Sequence, residues 1–150
     1  MLNPDFSQYS LALIKDDKII FSSDKSGLRP LIECIKKSKG KEANCILFDK
    51  VIGLAAARCI IYSGFISNVI AGTASEKAIE SLEKNSIKVK AATIVKNICN
   101  KDRTGICPME KKALEAADNA TFYNELAAIF YWNPQITDSS FILSRAPKGL

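Results

Sequence analysis

Two short polar groups in this chain carry residue types that could do chemistry. Phe48-Asp49-Lys50 sets a carboxylate beside an ammonium, and Cys107-Pro108-Met109-Glu110 sets a thiol three residues before a second carboxylate. At the mouth of a helix, a carboxylate such as Asp49 can cap free N–H groups or hold an amine or cation. Lys50 at the same end opposes the helix dipole, so its use there would be as an anion contact beside helix N–H groups. Cys107 opens a second helix, where the dipole and nearby Lys111 or Lys112 would favour a thiolate. Glu110 can close a capping box in that helix or serve as a general base. The chain has no histidine, which removes the commonest general base and metal ligand and rules out a cysteine–histidine pair.

These residues give a candidate set. Asp49, Lys50, Cys107 and Glu110 are the possible catalytic groups, while Asp49, Lys50, Gly53 and Arg29 are the possible ligand contacts. Gly53 reads chiefly as a position of close packing, and Arg29 as an anion contact near another helix entrance. No glycine-rich phosphate loop, Gly-x-Ser-x-Gly elbow or metal-ligand cluster occurs, so no metal and no cofactor are expected.

The elements that must position these groups follow from hydrophobic periodicity. Residues 10–15 and 18–22 flank Asp16-Asp17 and read as a β-hairpin. Leu28, Leu31, Ile32 and Ile35 repeat at helical spacing, with Pro30 in the first turn and Gly40 past the end. Cys45-Ile46-Leu47-Phe48 has strand length. A helix is expected from Lys50 to about Ser63, with Asp49 as its N-cap and Gly64 as its stop. Val69-Ile70-Ala71 reads as a strand, and Thr73-Ala74-Ser75-Glu76 has capping-box spacing before a helix to about Lys84. Residues 88–95 read as an edge strand and 97–105 as a polar loop. Helices then start at Pro108 and along the stripe Phe122, Leu126, Ile129 and Phe130, ending before Asn133-Pro134. The order β-β-α-β-α-β-α-β-α-α predicts a three-layer α/β/α fold with a mixed sheet. One domain is expected over residues 1–132, with residues 133–150 a tail or docking arm.

Size and composition narrow the classes. The chain has 150 residues, 47% of them hydrophobic and 25% charged, enough for one self-sufficient core. Five cysteines at irregular spacing form neither a disulfide framework nor a zinc pattern, and four of them read as small apolar core residues. Val51 to Ala74 is apolar enough to raise a membrane span, with Arg58 as its only charge. Ser63-Gly64 and Ser67-Asn68 divide it into a helix and a strand. No secretory pattern opens the chain, so the expected setting is the cytoplasm, off the membrane. Net charge is +5, concentrated over residues 84–112. That region contains no aromatic to stack a base, so nucleic acid is not the expected partner. The expected partners are a small anionic or nucleotide-like molecule at the Asp49 site, or a second copy or other protein docked on the aromatic terminal helix (Phe122, Tyr123, Phe130, Tyr131, Trp132).

The motifs Phe48-Asp49-Lys50-x-x-Gly53-x-Ala55-Ala56 and Gly105-x-Cys107-Pro108-Met109-Glu110-Lys111, in this element order, resemble a family of small prokaryotic proteins of unknown function assigned to the cytidine deaminase-like fold. The resemblance spans residues 8–118 or so and implies that fold. It does not imply the reaction: zinc deaminases need a His/Cys-x-Glu on one helix and Pro-Cys-x-x-Cys on the next. Here the corresponding helices begin Ser26-Gly27-Leu28-Arg29-Pro30 and Asp49-Lys50. What the resemblance leaves is a pocket where helix N-termini converge, without zinc.

Overall fold

The computed structural model describes residues 5–99 and 105–132, so the expected arm over residues 133–150 and the side chains of Tyr131 and Trp132 lie outside the described residues. The chain opens with the expected hairpin, β1 (Leu11–Lys15) and β2 (Lys18–Ser23). Asp16 and Asp17 both take positive φ, 51° and 62°, the double left-handed turn that matches strand twist and that aspartate tolerates. Helix α1 (Arg29–Ser38) follows, with Pro30 at its start.

Strand β3 (Cys45–Ile52) runs four residues beyond the apolar run that suggests it. Asp49, Val51 and Ile52 pair with Ala71, Thr73 and Ala74 of β4 (Ile66–Ser75), and Asp49 also faces Leu11 of β1. Ladder bonds on both sides therefore hold Asp49 and Lys50 extended. Helix α2 (Leu54–Ser63) starts only after Gly53, and Gly64 ends it in the left-handed conformation at φ 74°. The expectation that Asp49 caps a helix from Lys50 is overturned. The capping box at Thr73–Glu76 fails for the same reason, since pairing keeps Thr73 in β4. Ser75 instead caps α3 (Glu76–Lys84), accepting from the Ala78 N–H at 3.2 Å. β5 (Lys88–Val95), α4 (Pro108–Glu115) and α5 (Asn119–Trp132) complete the order.

The strands form one mixed sheet in the order β2-β1-β3-β4-β5, antiparallel from β2 to β3 and parallel from β3 to β5. This is the expected α/β class with a mixed sheet. Leu11, Leu13, Leu47, Val69 and Ala71 face the main core with α1, α2 and α3, while Ala12, Ile14 and Phe48 face the other way, packed with Phe6 and Tyr9. The third layer is α5, laid across α1 and α2. In the described residues it replaces a helical layer on the far face, because both parallel crossovers bring their helices to the same side. Tyr62 and Tyr123 stack at 4.6 Å between α2 and α5, and the Tyr123 hydroxyl donates to the Ile32 carbonyl.

Phe122, Tyr123, Leu126, Ile129 and Phe130 are all buried in the chain's own core. The aromatic stripe of α5 is therefore not a docking face over these residues. The apolar stretch from Val51 to Ala74 resolves into the end of β3, α2 and β4. Among the described residues, no helix is long and apolar enough to cross a membrane. Cys34, Cys45 and Cys59 are buried as expected, whereas Cys99 is exposed.

Candidate functional site

At the carboxyl end of β3 the alternation of strand faces slips. Leu47 and Ile52 both enter the helix-side core although five positions separate them, and Lys50 and Val51 between them are both exposed. The slip crosses into β4, where Ala71 and Ala74 share the helix side. There the Lys50 carbonyl comes so close to Gly72 that a Cβ on Gly72 would sit 2.7 Å from its oxygen. A regular strand would turn one residue of each adjacent pair away. The slip instead brings Asp49, Lys50 and Val51 together on the rim of a single cleft.

That cleft has a volume of about 390 Å³. Its walls are the starts of three helices, at Gly27 and Leu28, at Gly53, Ala55 and Ala56, and at Cys107, Met109 and Glu110, together with the turn Asp24-Lys25-Ser26 and Ser10. Of the residues expected from sequence, Asp49, Lys50, Gly53, Cys107 and Glu110 are brought together here. Arg29 is not among them: its guanidinium lies over the Phe130 ring, 4.9 Å from the centroid, and it lines a separate groove between α1 and α5.

Glu110 fills the role expected of Asp49. One carboxylate oxygen accepts from the Leu54 N–H and the other from the Ala55 N–H, both at 2.7 Å. The first turn of α2 is thus capped from 55 residues away, by a bidentate carboxylate placed at the positive end of the dipole. Glu110 is 7% exposed. Burial pushes its carboxyl above the ordinary value, while the two N–H bonds and Lys77 pull it back only in part. Two expectations fall with this finding. Glu110 does not close a capping box in its own helix, and the α2 N–H groups that Lys50 was expected to share with an anion are already taken.

The cap dictates Gly53. A Cβ built there would lie 2.0 Å from Glu110 Oε1 and 2.5 Å from its Cδ. Gly53 has φ −103° and ψ −174°, a conformation open to any residue, so the requirement for glycine is space and not backbone conformation. This is the close packing read from the sequence, with the partner now identified.

Arg58 is the residue that sequence reasoning passed over. It sits one turn into α2 and donates through Nη1 to the Ala113 and Ala116 carbonyls, at 2.6 and 2.9 Å, closing the end of α4. Its Nε donates to Asn119 Oδ1 at 2.7 Å, which ties in the start of α5. Glu110 and Arg58 thus form a reciprocal clamp: α4 caps the start of α2, and α2 caps the end of α4. A lone arginine in an otherwise apolar helix was the available signal, since such a charge must find carbonyls or a carboxylate. At its other end α2 is closed by Lys39, whose ammonium donates to the Tyr62 and Ser63 carbonyls.

The charged rim is of mixed sign. Asp24 and Asp49 stand with Lys25 and Lys50, and Lys25 is paired with Glu33 at 3.3 Å. Lys50 makes no ion pair among the described residues. Cys107 lines the cleft but is buried, and Lys112, a candidate neighbour for it, pairs with Glu125 at 2.8 Å. Among the described residues no three His, Cys, Asp or Glu side chains gather as a metal site.

Comparison with known proteins gives two findings. A family model described as TM1506, domain of unknown function (DUF1893), matches residues 5–130. The chain is also similar to the crystal structure of a DUF1893 family protein (TM1506) from Thermotoga maritima, at 24% identity over 80% of each chain, with a TM-score of 0.71. No curated protein matches the chain.

Proposed function

We propose, on the premise that this chain belongs to the TM1506 family of domains of unknown function (DUF1893), that its cleft at the end of β3 binds a small anionic metabolite, nucleotide-like in size. The observation that carries this reading is the convergence of Asp49, Lys50 and Cys107, from segments nearly sixty residues apart, on one cleft of about 390 Å³. That volume lies in the range of small-molecule sites, and its position at the carboxyl end of a central strand is where open α/β sheets bind ligands. Lys50 would supply the cation for the anionic group. Asp49, Ser10 and Ser26 supply hydrogen-bonding groups that can orient a polar ring or ribose. Gly53 and Glu110 act one layer below, as the wall that fixes the start of α2.

The same reading keeps the cytidine deaminase-like relationship as a statement about where the pocket sits, at the starts of α1 and α2, and not about a reaction. Asp49, Lys50 and Cys107 are proposed as ligand contacts with no catalytic step assigned to them. Arg29 is left out of the set because it faces the other groove.

Thermal-shift and calorimetric titration with a panel of nucleotides and sugar phosphates tests the proposal. At least one member should raise the melting temperature of the wild type and leave Lys50→Ala and Asp49→Asn unshifted. Both variants should melt within a few degrees of wild type without ligand, because Lys50 is exposed and Asp49→Asn keeps the shape of the side chain and one acceptor oxygen. A panel that shifts nothing, or shifts all three proteins equally, overturns the assignment.

A further inference from the structure

The face of the sheet turned away from α1, α2 and α3 carries Ala12, Ile14 and Phe48. Among the described residues no helix lies over it, yet these three side chains are 0%, 1% and 0% exposed. The described apolar side chains that pack on them from outside the sheet are Phe6 and Tyr9. Both sit at one end of the face. A Cβ on Gly72, beside the Lys50 carbonyl, would lie 3.6 Å from the Phe6 ring, and Tyr9 adjoins Ser10, whose carbonyl accepts from the Lys50 N–H. Ile14 is at the other end, opposite Ile46, about 13 Å along β3 from Lys50. The cover over Ile14 is also narrow. Ile19 and Ser22, the β2 partners of Ile14 and Ala12, are exposed, while Ile46 and Ile70 on β3 and β4 are only half-buried. A helix about 10 Å across would shield two strands at once, whereas an extended segment shields one.

We propose that this extended cover is the carboxyl-terminal arm, residues 133–150, which crosses the far face along β1 with Phe141 and Leu143 seated on Ala12 and Ile14. The burial of Ile14 arises within a single chain, so the cover belongs to the same chain. Residues 1–4 join at Asp5, at the Phe6 end, and bring two apolar side chains, Met1 and Leu2. Residues 100–104 are tied by the Cys99–Ile106 bridge beside the cleft, whose lining includes Ile98 and Cys107. The arm instead brings Ile136, Phe141, Ile142 and Leu143.

Length and spacing fit as well. Pro134 disfavours helix at Asn133 and turns the chain out of α5. Phe141 is nine residues past Trp132, a reach of up to about 30 Å. Passing from α5 to the far face crosses two layer spacings of about 10 Å each. In an extended segment Phe141 and Leu143 fall on one side, at the same two-residue interval as Ala12 and Ile14. The arm thereby supplies the covered second face that a sheet with parallel strands needs. This face is opposite the helices, and the assignment does not depend on what the cleft binds.

Nuclear Overhauser measurements on the full chain, methyl-labelled at isoleucine and leucine, test the proposal. The Ile14 methyl groups should show contacts to the Phe141 ring and the Leu143 methyl groups within one molecule. Trypsin cleavage after Arg145 should be slow in the wild type and at least about tenfold faster in Phe141→Asp, the effect of losing one buried large apolar side chain. Ile14 contacts to Met1 or Leu2 in place of the arm, contacts that appear only between differently labelled copies, or cleavage equally fast in both proteins overturns the proposal. The wild-type contacts keep the test decisive if Phe141→Asp fails to fold.

Discussion

Replacing Gly53 by alanine should be strongly destabilising, although backbone conformation alone predicts the opposite. Gly53 sits in an ordinary extended conformation, where alanine would restrict the unfolded chain and add roughly 0.4–1 kcal/mol of stability. The new Cβ, however, would lie 2.0 Å from Glu110 Oε1 and within 2.8 Å of the other carboxylate oxygen, so the carboxylate must leave. Its departure breaks two bonds of 2.7 Å to the Leu54 and Ala55 N–H groups. Hydrogen bonds to a charged group contribute about 1.5–3 kcal/mol each, and a buried carboxylate left without partners adds a desolvation cost. The expected net loss is about 3 kcal/mol. For a chain of this size that corresponds to a fall of roughly 6–12 °C in Tm. Urea and thermal melts followed by circular dichroism would measure it, in a cycle with Glu110→Ala. In the Glu110→Ala background the clash is gone, so Gly53→Ala should cost about 1 kcal/mol or less. If Gly53→Ala is neutral in the wild type, or costs the same in both backgrounds, the carboxylate is not what excludes a side chain at position 53.

The other half of the clamp gives a second prediction: Arg58→Met keeps the apolar stem but removes three donors from the Ala113 and Ala116 carbonyls and from Asn119. It should cost about 3 kcal/mol, with protection from hydrogen exchange lost first in α4 and at the start of α5; a loss spread evenly over the chain would contradict the clamp. A third concerns pH. Burial holds the Glu110 carboxyl above its ordinary 4.5, so the folded chain binds this proton more tightly than the unfolded chain. The stability tied to Glu110 is fully present below that ordinary value and is lost as pH rises through the raised one. The Tm advantage of wild type over Glu110→Gln should therefore shrink as pH rises above 4.5, and an advantage that grows as pH rises refutes the direction.

Much of this architecture is written in local sequence. The Asp16-Asp17 turn, the proline at the starts of α1 and α4, the Gly64 stop and the stripe on α5 depend on neighbours a few residues away, where backbone sterics and periodicity decide. These sufficed for the element order and for the α/β class with a mixed sheet. Local signals also picked out Asp49, Lys50, Gly53, Cys107 and Glu110, which line one cleft. Arg29, selected on the same kind of signal, does not join them, because α5 offers its guanidinium an aromatic ring.

Partnership across the chain was beyond that reach. An aspartate ahead of an apolar run reads as a helix cap from sequence, yet ladder bonds to β1 and β4 on both sides of β3 keep Asp49 in the strand. The cap then comes from Glu110, which nothing local connects to Leu54 and Ala55. Glycine at position 53 was legible as a need for room, and only the fold shows that the room is for a carboxylate. The sequence by itself determined which residues could be polar, small or buried, and in what order strands and helices follow. The tertiary structure decided which charges meet, because a buried carboxylate or guanidinium takes whichever backbone groups the packing leaves open.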